Sequence, residues 1–171
     1  MMMRGWILAL TSQPLDSVQA ITSAIMSWRS TGATYWVPLL LVYLARAYAE
    51  LGHFDEAWGS IREATTTVET TKERWFEAEI YRVAAEVALK SPQPDTAKSE
   101  AYFARALSVA RQQQAKSWEL RAAMSMARLW RDQGKRKEAH DLLAPVYGWF
   151  TEGFDTLDLK EAKELLDDLA A

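Results

Sequence analysis

Apolar or small residues recur along this chain at steps of four, three and four: Ala57, Ile61, Ala64 and Val68, then Ala139, Leu143, Val146 and Phe150. Such steps fall on one face of a helix, so each set predicts an amphipathic helix whose other face is solvated. A middle set, Ser99, Phe103, Ala106 and Ala110, keeps the steps with a hydroxyl in first place. A similar run at steps of four, three and three, Val18, Thr22, Ile25 and Trp28, predicts a further helix near the start. No stretch alternates with the period of two that a half-buried strand needs, and 7 Gly and 5 Pro leave few breakers. The expected fold class is all-α.

The helices come in repeating pairs. LARAYAELGHFDEA, Leu44 to Ala57, returns 82 residues later (44 to 126) as MARLWRDQGKRKEA, Met126 to Ala139, sharing an alanine and arginine, a glycine, and a final Glu-Ala. Trp36, Trp75 and Trp118 are spaced 39 (36 to 75) and 43 (75 to 118) apart, each nine residues before a small residue: Ala45, Ala84, Ala127. Gly52 and Gly134 then end the first helix of their units, since glycine enters the left-handed conformation cheaply. In the middle unit Pro92 and Pro94 of SPQPD end it. The tail predicts a last helix over 156–170 with Leu159, Ala162, Leu165, Leu166 and Leu169 inward and Lys160, Glu161, Glu164, Asp167 and Asp168 solvated. One domain, 1–171, is expected: a partial unit at about 1–32, units at 33–71, 72–114 and 115–153, and the cap.

Ala45, Tyr48, Gly52 and Ala57 make a small–aromatic–Gly–Ala pattern that resembles the tetratricopeptide repeat. That likeness implies a right-handed α-α superhelix of helical hairpins. The usual unit is ~34 residues, and units near 39 resemble the longer variant of signal-transduction ATPases and their regulators. The tail LLAPVYGWFTEGFDTLDLKEAKELLDDL, Leu142 to Leu169, is similar to the C-terminal end of large bacterial proteins. Those proteins join a class III adenylate cyclase or a winged-helix domain to an ATPase and a tetratricopeptide array. The resemblance implies a regulatory or scaffolding segment that binds protein or peptide. By the family pattern its concave groove presents Arg46, Glu50, Tyr81, Arg121, Arg128 and Arg131, whose arginines suit an acidic partner; the competing reading pairs them with Glu50, Glu86 and Asp132. Trp6, in place of the small residue, and Ser99, in place of Ala, predict distortion in the first and third units.

Composition narrows the function. A net charge of −3 opposes a dedicated nucleic-acid or anionic-membrane binder. The absence of cysteine removes disulfides, thiol catalysis and cysteine-ligated metals, and makes a reducing cytoplasm the expected setting. The run WILAL is too short for a signal-peptide core or a membrane span. His53 and His140 occupy non-identical repeat positions two units apart, so a metal or acid–base pair is not expected, and no Gly-rich phosphate loop is present. No catalytic residue, cofactor or metal is assigned. Rings that recur at one repeat position, Trp36, Trp75 and Trp118, are expected to fill inter-repeat gaps. A metabolite-sensing domain is the alternative function. Finally, Met3, Trp6, Ile7 and Leu10 form an apolar end that further repeats would bury, predicting the last segment of a longer array that self-associates when isolated, as in a homodimer.

Overall fold

The computed structural model describes residues 14–171. Among them are eight helices and no strand: α1 (Pro14–Ser30), α2 (Val37–Glu50), α3 (Phe54–Thr71), α4 (Glu77–Lys90), α5 (Thr96–Gln112), α6 (Lys116–Asp132), α7 (Arg136–Tyr147) and α8 (Leu157–Ala170). Helix ends follow local chemistry. Gly52 and Gly134 both have φ of 79°. Around each, two amides turn back onto the helix: His53 to the Tyr48 carbonyl and Gly52 to Ala49's, Lys135 to Trp130's and Gly134 to Arg131's. At α4 the chain leaves in extended form at Ser91, and Asp95 then caps α5 by accepting from the Lys98 amide at 2.9 Å.

Each helix packs on its neighbours in sequence, and the first helices of successive pairs, α2, α4, α6 and α8, also pack side by side. This is an all-α, tetratricopeptide-like helical repeat. The close approaches depend on small residues: Ala45, Ala57, Ala84, Ala106, Ala127 and Ala139 are all inaccessible to solvent. A larger side chain there would hold the backbones apart, and the space left over is filled by Ile61, Val83, Phe103 and Leu143. Helix α8 takes the place of the next first helix, with Leu159, Ala162, Leu165 and Leu169 buried against the preceding pair. Its leucines contribute roughly 1.5–3 kcal/mol each if fully buried. No described helix is long and apolar enough to cross a membrane.

Two expectations change. In α1 the buried stripe is Ser17, Ile21 and Ile25, one residue off the expected one at its start, with Val18 and Thr22 only half-buried. Ser17 stands as far ahead of Ala45 as Ser99 does ahead of Ala127, so the first unit follows the longer spacing of the third. The third unit is not distorted at Ser99, which is fully buried. Its hydroxyl lies 3.1 Å from the Ala85 carbonyl oxygen of α4 and 2.9 Å from that of Asp95, so the hydroxyl has an acceptor and the helices close normally. Trp6 lies outside the described residues.

Candidate functional site

Five of the six expected groove residues lie in the seams between adjacent first helices, and each meets an opposite charge. Arg46 of α2 is 3.9 Å from Glu86 of α4, and Glu50 of α2 pairs with Lys90. From α6, Arg121 and Arg128 reach Asp158 and Glu161 of α8, both at 2.7 Å. Arg131 contacts Asp168 at 3.1 Å and its neighbour Asp132. The partners of Arg121 and Arg128 are therefore carboxylates of the last helix, and two of its expected solvating acids, Glu161 and Asp168, serve the seam instead. Tyr81 is not brought together with this row; it faces α5 and a cleft beside α3. Met3, Trp6, Ile7 and Leu10 lie outside the described residues.

The seam holds a polar cluster that the repeat pattern does not announce. Arg82 is buried on α4, with Nε and Nη2 donating to the two oxygens of Glu79 at 2.6 and 2.7 Å. Its Nη1 pairs with Glu86 and donates to the Ser125 hydroxyl of α6 at 3.1 Å. Burial works against the guanidinium's charge, but the hydrogen bonds and charges of Glu79 and Glu86 outweigh it and hold the group well above its ordinary value. The spacing i, i+3 and i, i+4 was visible in EAEIYRVAAE; burial was not. At the N-terminal end of α6, Glu119 is similarly buried and accepts from Arg111 and Lys116, both at 2.8 Å.

Aromatic side chains gather elsewhere. Rings at the connections into the first helices form a continuous row: Tyr35 on Trp75 at 5.0 Å, Trp36 on Trp75 at 5.3 Å, then Trp75 on Phe76 and Phe76 on Trp118 at 5.1 and 5.2 Å. Trp75 and Trp118 fill gaps between units as expected, whereas Trp36 is 37% exposed and Tyr35 44%. The row continues through Lys116, whose ammonium lies 5.5 Å from the ring of Trp149, itself 58% exposed. Phe154 and Leu157, in the connection to α8, are exposed on the same edge.

A separate open cleft of about 350 Å³ lies between α3 and α5, with α4 as floor. Trp58, Arg62, Thr65, Thr66, Tyr81 and Tyr102 are in its lining. His53 and His140 sit at the start of α3 and on α7, and among the described residues no group of three or more His, Asp or Glu could hold a metal ion. No protein-family model matches the chain, and no curated protein matches it.

Proposed function

We propose that this chain is a non-catalytic protein-interaction module and that its principal contact surface is the ring-bearing edge at the connections into α2, α4, α6 and α8. The observation that carries the reading is the exposure of Tyr35, Trp36, Trp149, Phe154 and Leu157 on that one edge. Large apolar side chains grouped at a surface, with charges at their margin, are the usual anchors of a polypeptide partner. An acidic peptide along the row of Arg46, Arg121, Arg128 and Arg131 is less well supported. Its carboxylates would have to displace Glu86, Asp158, Glu161 and Asp168 from arginines they already hold. The likeness of the tail to cyclase- and ATPase-linked bacterial proteins supports a regulatory role in a cytoplasmic signalling protein.

The test compares surfaces. A photocrosslinking amino acid is placed at Trp36, Trp149 or Arg128, and any polypeptide crosslinked from the first two is purified and titrated directly. Trp36→Glu with Trp149→Glu should weaken that complex by about thirtyfold or more, the scale of losing an aromatic anchor. Crosslinks from the Arg128 position alone would move the surface to the seam and overturn the edge reading.

A further inference from the structure

On α5, Lys98, Tyr102 and Arg105 share a flank at helical spacing, and on α3 Trp58, Arg62 and Thr65 do the same. The two flanks face each other across the cleft of about 350 Å³. Its walls are aromatic: Tyr102 lies 6.0 Å from Trp58 and 6.3 Å from Tyr81, centroid to centroid. Cations attend these rings. The Lys98 ammonium is 4.2 Å from the Trp58 centroid, and the Arg105 guanidinium 5.6 Å from that of Tyr81.

The arginines beside this cleft differ from the other described arginines. Among the described arginines, Arg62 and Arg105 have no carboxylate partner, while those of the seams and of the edge are all paired. Arg62 lines the cleft and no carboxylate does; Glu69 and Glu77 line an adjoining hollow of about 20 Å³ beyond Thr65 and Tyr81, and Glu77 is held by Arg74. Ring faces, unpaired cations and the hydroxyl of Thr66 thus gather around a space at the small-molecule end of the range, ~300–1,000 Å³.

We propose that this cleft binds a small planar aromatic anion, a ring bearing a carboxylate or a phosphate. The ring lies against Trp58, Tyr81 and Tyr102, and the acid group meets Arg62, flanked by Lys98 and Arg105. Planar, forked donors favour such an acid group over a neutral one. The site is separate from the ring-bearing edge and does not depend on it.

Adenosine monophosphate and indoleacetate serve as probes on the full chain, with adenosine and inorganic phosphate as controls, and binding is followed by the indole N–H resonance of Trp58 in NMR titrations. At least one anionic probe should bind saturably, and which one does so distinguishes phosphate from carboxylate. Each control should bind about tenfold more weakly or worse, since it keeps only half of the recognition. Arg62→Ala, an exposed change whose fold is checked by its thermal melt, should weaken the probe by about tenfold. Arg46→Ala should leave binding unchanged. The proposal is overturned if neither probe moves the Trp58 resonance up to millimolar concentration, if inorganic phosphate binds as well as the probes, or if the Arg62 variant binds like the original chain.

Discussion

Gln114 holds a φ of 53°, a backbone conformation that penalises a Cβ. Its surroundings match those of Gly52 and Gly134: its own amide reaches the Arg111 carbonyl, and the Ala115 amide reaches Ala110's at 2.9 Å. Gln114→Gly should therefore stabilise the fold by about 0.5–1 kcal/mol, the strain relieved exceeding the freedom glycine adds to the unfolded chain. A urea titration should show a higher midpoint at unchanged slope, and a lower midpoint would contradict the reading. Glu119 links another residue to pH. Its burial favours the neutral acid, but Lys116 and Arg111 outweigh that and hold the carboxyl below its ordinary value near 4.5. Below that value the unfolded chain takes up the proton first. The contribution is thus complete above the ordinary glutamate range and is lost as pH falls through the lower folded value. Glu119→Gln should flatten that part of the acid limb in melts recorded across pH, and an identical acid limb would remove Glu119 from it.

At the scale of elements, the seams combine apolar and ionic packing in different proportions. Leu40 and Tyr43 of α2 occupy the positions that Glu79 and Arg82 hold in α4, 39 residues on (40 to 79, 43 to 82). The same structural place thus accepts either an apolar pair or a buried ion pair. Glu79→Ala leaves Arg82 buried without its bidentate partner and should cost about 3–5 kcal/mol, whereas Glu79→Leu combined with Arg82→Tyr should stay within ~1 kcal/mol of the original. Denaturant midpoints of the two variants decide this; equal losses would show that the ion pair cannot be exchanged as a unit. Helix faces and ends were largely legible because Ala45, Ala84, Ala127, Gly52 and Gly134 report backbone proximity and left-handed turns, which depend on one residue at a time. The start of the α1 stripe was missed because Ser17 is polar and hides a buried position. The partners of Arg121 and Arg128 were missed, unlike Glu86 and Asp132, because Asp158 and Glu161 belong to a helix whose spacing departs from the earlier units, and ion pairing depends on which helix lies alongside.

Across the whole molecule, sequence placed the rings in register but could not rank their exposure. Trp36, Trp75 and Trp118 share an offset from their small residues, yet solvent reaches Trp36 more than Trp75, because exposure depends on what the neighbouring units put over each ring. The cleft was equally hidden. Tyr81 looked like a member of the arginine row because the family pattern assigns that position to the groove, while Lys98, Tyr102 and Arg105 occupy positions on which the repeat pattern is silent. The stack is also mechanically lopsided. One margin is riveted by charges that cross from α2 to α4 and from α6 to α8, whereas α3 and α5 on the opposite margin flank the cleft and meet through Lys98 and Tyr102 on Trp58. A body held more firmly along one side than along the other bends like a leaf spring. Salt, which screens exposed pairs such as Glu50–Lys90, would soften the bound side, and the gap between α3 and α5 would widen or narrow with the curvature of the whole stack.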